Sequence, residues 1–247
     1  MDTLIAGISG GIGLALARHR LEQHNDGRVI GLSRHPGDEP ALQELRASFP
    51  ERLVLITADV TDAEGLAEAL RQRLPADTDL RSVIFAIGVL HDDAMSPEKR
   101  LEDVDAGAML HSYRVNTLGF LLLVQAAVPW LRHREPKLIA AISAKVGSIG
   151  DNGLGGWYGY RCSKAALNMA VRNLAVETRR RMKPTTVVAL HPGTTQTPLS
   201  EPFEQSLARL SVHSPSDTAA NLWRVLDNLG AEDSGSFINW DGSTLPW

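Results

Sequence analysis

The chain has 247 residues, 43% of them apolar, with 25 basic against 29 acidic side chains and a formal charge of −4; that is enough for a large buried core, and the interspersed charges, with no long basic stripe, argue against nucleic acid as a partner. A single cysteine, Cys162, excludes an intrachain disulfide and points to a reducing, cytoplasmic setting. The start "MDTLIAGISG" lacks the layout of a secretory signal, the run "LGFLLLVQAAV" is about half the ~20 residues that cross a bilayer, and the eight histidines show no metal-ligand spacing, so neither a membrane nor a metal is expected.

"TLIAGI" opens the chain as a short apolar strand that breaks into glycines, and "GIGLALARHRLEQH" behind it has helical period. "RVIGLS" reads as a strand, "PALQELRASF" as a helix with Pro40 near its start, and "RLVLITADV" as a third strand. "DAEGLAEALRQRL" is a helix behind Asp62 as cap, and "SVIFAIG" is a strand. The stretch "EDVDAGAMLHSYRVNTLGFLLLVQAAVPWL" predicts a long helix bent near Gly107. "KLIAAIS" is a strand entering a glycine-rich loop, "YGYRCSKAALNMAVRNLAVETRRR" a strong helix, and "TTVVALHPG" a strand ending in a turn. "SPSDTAANLWRVLDNL" is a capped helix and "GSFINW" the last strand.

The seven strands are continuously apolar rather than alternating, and helices lie between most of them. That pattern predicts an α/β fold: one doubly wound, Rossmann-type domain over 1–247, with a mostly parallel seven-stranded sheet covered on both faces. Residues about 194–215 form a substrate-side excursion.

"AGISGGIG" joins the first strand to the first helix, with Gly7, Gly11 and Gly13 in the spacing GxxxGxG and Ser9 and Ile12 in the same turn. Such a turn lets the backbone approach a pyrophosphate, which then sits on helix N–H groups. About 20 residues on, where an acid would bind the ribose of NAD, stand Ser33 and Arg34. A guanidinium there can fork onto a 2′-phosphate, so NADP is favoured over NAD. Asp59, followed by Val60 at the third strand's end, suits either the adenine amino group or a turn.

Tyr160 and Lys164 stand four apart on one helix face, ~6 Å along the axis, whereas Tyr158 points elsewhere. An ammonium beside a phenol favours the phenolate and lowers a pKa of about 10. Tyr160 is then a candidate proton donor to a carbonyl oxygen, and Lys164 a candidate partner for the nicotinamide ribose. Alone, this spacing is common, and aromatic packing is then the favoured reading.

Taken in order, the nucleotide turn, "YRCSK" on a late helix and "HPGTTQT" after the sixth strand resemble the short-chain dehydrogenase/reductase family over essentially the whole chain. "GSIGDNGLGGWYGYRCSKAALN" and the closing "DGSTLPW" are most similar to its C-factor and sniffer-like carbonyl reductase branch. The resemblance implies that Tyr160 is the acid/base and Lys164 its pKa-lowering partner. It implies that Asn116, in "YRVNTLG", holds a water in a proton relay, though a structural bond is the plainer role. Pro192, Gly193, Thr195 and Thr197 match a segment that cradles nicotinamide, and Gly88 matches the last glycine of a family "NNAG".

Three departures stand out. "FAIG" lacks the family's asparagines. Ala144 occupies the usual place of a substrate-orienting serine, leaving Ser143, Ser148 or no hydroxyl for the role. Ala144 to Tyr160 spans 16 residues, longer than the usual spacing; the extra loop is expected to border the substrate, with Trp157 either an apolar contact there or, the favoured reading, a buried tryptophan with no substrate role. Cys162, inside the helix, is expected to be inert packing. The expected function is NADPH-dependent reduction of a small ketone or aldehyde, or the reverse oxidation of an alcohol. The alternative is a dinucleotide-binding regulatory or signalling protein with vestigial catalysis. Two long helices apolar on several faces predict a homodimer or homotetramer.

Overall fold

Strands β1 (Asp2–Ala6) and β2 (Val29–Ser33) are buried at every position, as continuous apolar runs must be in a sheet covered on both sides. They belong to a seven-stranded sheet with β3 (Leu53–Thr57), β4 (Leu80–Phe85), β5 (Lys137–Ile142), β6 (Thr185–His191) and β9 (Ser236–Asn239). The computed structural model describes residues 1–93, 95–200 and 212–247. The sheet runs β3-β2-β1-β4-β5-β6-β9, and every pairing is parallel, not merely most of them. A short parallel pair, β7 (Thr194–Thr195) with β8 (Val212–His213), lies apart from it.

The order reverses between β1 and β4, which opens a crevice at the carboxyl ends of these strands, where doubly wound sheets take their ligands. Helices α3 (Ala63–Arg73), α5 (Gly119–Leu131) and α6 (Tyr158–Arg181) cover one face through Leu66, Phe120, Leu123, Leu167 and Val171. Helices α1 (Gly11–Gln23), α2 (Pro40–Ser48) and α7 (Pro215–Asp227) cover the other through Leu16, Leu42, Leu45, Leu222 and Trp223. The pleat divides β1 accordingly: Leu4 and Ala6 enter the first cluster and Ile5 the second. Local caps hold as the sequence predicts. Asp62 accepts from Gly65 N at 3.1 Å, and Ser214 from Asp217 N at 3.1 Å.

The long helix differs from expectation. Asp105 caps α4 (Ala106–Tyr113) by accepting from Ala108 N, so Gly107 lies in the first turn rather than at a bend. The irregularity is a π turn, Arg114–Leu118, that carries α4 into α5. The joined helix Ala106–Leu131 has the length and mean hydropathy (1.3) of a membrane span, more than its longest apolar run suggests, yet half of that window is buried in the fold. Phe120, Leu123, Ala127 and Leu131 are core residues, so its apolarity serves packing against the sheet. Cys162 is exposed, not packed.

Candidate active site

β1 ends at Ala6, and Gly7 turns the chain with φ +90, a region that L side chains avoid. A Cβ on Gly7 would lie 2.9 Å from Ala86 O on β4's extension, one on Gly13 2.1 Å from Gly7 O, and one on Gly11 2.8 Å from Thr197 Cγ2. The three glycines thus let β1, α1 and the segment after β6 close on one another with bare backbone facing the crevice. The N-cap of α1 is Gly10; it supplies no side-chain cap, and the first turn has no acid, so an incoming anion meets no negative charge there. That cradle fits a pyrophosphate. Ser9 Oγ lies 2.8 Å from Ser33 Oγ, tying the turn to the end of β2, while half-buried Ile12 packs into the core beneath.

Arg34 is exposed just past β2, with Asp59 near it. Burial opposes ionisation of Asp59, but the Thr61 N–H, at 2.8 Å, together with Arg34 and Arg114 outweighs it and holds the carboxyl below its usual range. Asp59 therefore builds a turn and stands within electrostatic reach of Arg34. Val60 is buried against Gly119, where a Cβ would lie 2.8 Å from Val60 Cγ2.

On α6, Tyr160, Lys164 and Asn168 recur every four residues and are all buried. Lys164 Nζ lies 5.7 Å from the Tyr160 ring centroid and donates to Ile142 O at 2.9 Å. Gly88 faces both of the other groups expected here: a Cβ on it would lie 3.5 Å from Lys164 Nζ and 3.7 Å from Asn116 Oδ1, with Leu199 at 3.8 Å. Burial raises the Tyr160 phenol above its ordinary value and lowers Lys164 to about 7. In the cofactor-free chain the phenol is thus shifted up rather than softened as expected, because desolvation penalises both charged forms and favours the neutral phenol and the neutral amine.

Asn116 sits in the π turn, and its side chain makes the structural bonds that were its plainer role. Its Oδ1 accepts from Val89 N at 2.7 Å, and its Nδ2 donates to Val89 O and Ser163 Oγ at 2.9 Å each. Thr117 Oγ1, next along, donates to Ser163 O at 2.7 Å. Ser143 Oγ donates to Asn168 Oδ1 at 2.6 Å, and Asn168 Nδ2 to Gly147 O at 3.3 Å. Ser148 Oγ accepts from Asp151 N at 3.1 Å. Both candidate replacements for a hydroxyl at Ala144 are thus buried and engaged in holding the β5–α6 loop.

Beyond β6, Pro192 is buried and Gly193 turns with φ +77 under Trp240, to whose Cδ1 a Cβ would approach 3.0 Å. Thr195 Oγ1 lies 2.9 Å from Thr218 Oγ1, so its hydroxyl anchors the segment to α7. Thr197, against Gly11, has its N–H bonded to Ser200 Oγ at 3.1 Å. The structure therefore brings the glycine turn, Thr197, Gly88, Asn116, Lys164 and Tyr160 to one end of the sheet, and it turns Ser143, Asp59 and Thr195 to support. Leu199 belongs to the expected substrate-side excursion over about 194–215, of which 201–211 lie outside the described residues. Sequence reasoning missed Ser163, Thr117 and Asn168. Their four-residue phase with Tyr160 could have marked Asn168; nothing local marks the other two.

A family model described as short chain dehydrogenase matches residues 2–208. C-signal of Myxococcus xanthus is 37% identical over 147 residues, covering 60% of this chain and 83% of that protein. The NADPH-bound carbonyl reductase from chicken fatty liver superposes with a TM-score of 0.86 at 30% identity, covering all of this chain and 94% of that one. The carbonyl reductase Sniffer of D. melanogaster has the same fold: TM-score 0.86, 22% identity, 100% and 99% coverage. The expected likeness to the C-factor and sniffer-like branch is met in these relatives.

Proposed function

The chain belongs to the short chain dehydrogenase family, and from that premise we propose that residues 1–247 act as one NADPH-dependent unit that reduces a small ketone or aldehyde. The observation that carries this reading is the meeting of Gly88, Asn116 and Lys164 beside Tyr160, at the same sheet end as the glycine turn. Bound NADPH supplies hydride to the carbonyl carbon. The chain's own groups do the rest. Gly7, Gly11 and Gly13 leave room for the pyrophosphate, and Thr197 flanks it. Tyr160 gives its proton to the carbonyl oxygen, and burial keeps that proton in place until it is needed. Lys164, fixed by Ile142 O, would charge as the phenolate forms and would hold the ribose of a bound cofactor. Asn116 and Thr117 lock the π turn to Ser163 and so hold α6 in register.

Ala144 carries no hydroxyl, and Ser143 is engaged with Asn168, so the substrate oxygen has one donor fewer than is usual. Losing such a donor costs about 3 kcal/mol of transition-state stabilisation. The enzyme is accordingly slow rather than inert. That same observation supports the second reading, a nucleotide-binding regulatory protein. Screening NADPH oxidation against a panel of ketones and aldehydes tests the two. Turnover on any of them supports the reductase; tight NADPH binding with none supports the alternative.

Arg34 selects NADP in this reading, as the exposed cationic side chain at the place of an acid. A hydrogen bond to a charged group contributes about 1.5–3 kcal/mol, so Arg34→Ala should cut the NADPH-over-NADH preference by about 10- to 100-fold. Titrating both cofactors against wild type and variant checks this, and an unchanged ratio removes the role.

The small-molecule site goes with a self-associating chain in a cytoplasmic setting. Tyr113, Leu121, Met169 and Val176 are exposed apolar residues on α4, α5 and α6, and pairing across a two-fold axis would cover them as a dimer or tetramer. Met169→Glu should then sediment as a smaller species than wild type. A wild-type chain that is monomeric at every concentration counts against the assembly.

A further inference from the structure

Helix α6 begins without its own means of satisfying the first amides. Its N-cap, Trp157, offers no side-chain acceptor, and its first turn has no acid. Trp157 also has φ +50, the one described non-glycine residue in the left-handed region. The acceptor comes from 61 residues earlier: Glu98 Oε1 and Oε2 lie 3.2 and 3.1 Å from Gly159 N. Its main-chain oxygen accepts from Trp157 N at 2.5 Å. Glu98 is only 7% exposed. Burying a carboxylate on one N–H donor is costly in an apolar site, but here the positive end of a 24-residue helix offsets it.

We propose that Glu98 is a positioning residue for Tyr160: it clamps the first turn of α6 so that the phenol one residue past Gly159 is held at a fixed place in the site. The inference rests on the reading of Tyr160 as the proton donor. Trp157, whose backbone Glu98 holds, sets its ring edge-on to Tyr160 at 6.4 Å. Gly159 admits the carboxylate because it has no side chain; a Cβ there would lie 3.0 Å from Glu98 Oε1. The segment bearing Glu98 is rooted at its other end, where Asn116 grips both the N–H and the C=O of Val89. One stretch of chain thus spans from the cofactor wall at Gly88 to the start of the catalytic helix, and it fixes the two relative to each other. The charged group against the Tyr160 ring on its own helix is Lys164; Ser112, the α4 residue nearest Gly159, is neutral.

The test compares wild type, Glu98→Gln and Glu98→Ala. It uses NADPH with the best carbonyl substrate, NADPH affinity by fluorescence titration, and phenolate absorbance. The chain has three tyrosines, so a Tyr113→Phe/Tyr158→Phe background leaves Tyr160 as the sole reporter. A misplacement near 1 Å can cost about 100-fold, and Glu98→Ala is expected to lose about tenfold or more in kcat with NADPH affinity within about twofold. Its phenolate midpoint should fall as water reaches the ring. Glu98→Gln, which keeps an acceptor without the charge, should fall between Glu98→Ala and wild type on both readouts. Wild-type kcat and midpoint in Glu98→Gln overturn the proposal whether or not Glu98→Ala folds; so does a loss of NADPH affinity in step with kcat. If wild type turns over no carbonyl, the reductase reading fails by itself, and the phenolate midpoint still decides the clamp.

Discussion

Tyr160→Phe is expected to bind NADPH as the wild-type chain does and to lose about 10²- to 10⁴-fold in kcat, the span of a positioned general acid. The substitution removes one oxygen and leaves the ring. Its edge contact with Trp157 and its place under Lys164 Nζ are ring contacts, and both survive. Among the described residues no hydrogen bond engages the Tyr160 hydroxyl, so its deletion strands no buried partner, and stability should change by less than about 1 kcal/mol. Loss of turnover without loss of fold or cofactor affinity is thus the signature of a proton donor. The raised phenol pKa sharpens the point. Burial favours the protonated form, which reduction needs, so in the cofactor-free chain the acid is not discharged near neutrality. The check is single-turnover NADPH oxidation with a carbonyl substrate beside thermal melting of both proteins. Undiminished activity in Tyr160→Phe would remove the assignment.

Gly13→Ala should be the most damaging small change in the chain. The added methyl would sit 2.1 Å from Gly7 O and 2.8 Å from Gly7 C, atoms of backbone and not the yielding end of a side chain. Gly7 has little room to retreat on its Cα side, where an added Cβ would already lie 2.9 Å from Ala86 O and 3.0 Å from Ile87 Cγ1. Relief requires α1 to lift from β1, which unpacks Leu16 and Ala17 from the core. Overpacking of this kind costs about 3 kcal/mol or more, which for a chain of this size lowers Tm by about 6–12 °C. Because the same movement deforms the phosphate cradle, NADPH affinity should fall as well. Gly37→Ala is the control: a Cβ there meets nothing within 4 Å, and its Tm should stay at the wild-type value. A melt in which Gly13→Ala matches Gly37→Ala would show that the turn is looser than this geometry.

Much of this was legible in the residues because the signals are local. The helix over "YGYRCSKAALNMAVRNLAVETRRR" occupies Tyr158–Arg181, and the caps at Asp62 and Ser214 form where a short polar side chain precedes a helical repeat. The features that escaped are set by contacts between distant segments. Nothing within "YRVNTLG" demands a π turn; it lets consecutive residues, Asn116 and Thr117, both reach Ser163 on another helix. Gly107 looked like a break because glycine weakens a helix interior, but Asp105 makes it a beginning. Ser143 stayed ambiguous for a similar reason. Whether a residue at a strand's end faces substrate or helix depends on the last few degrees of strand twist, and here it faces Asn168. Glu98 was invisible as a cap, since the helix it serves starts about sixty residues later.

Tyr160, Lys164 and Asn168 share one rod, a single 24-residue helix fastened to the sheet by Lys164 at Ile142 and to the loop after β5 by Asn168 at Gly147. Anything that shifts the rod carries all three together, so the proton chemistry cannot be retuned piecemeal by sliding it. On the proposed reading, adaptation to new substrates would be left to the loop over 148–157 and the excursion over about 194–215. Grafting those segments from a relative should transplant substrate choice while the proton-handling groups stay as they are.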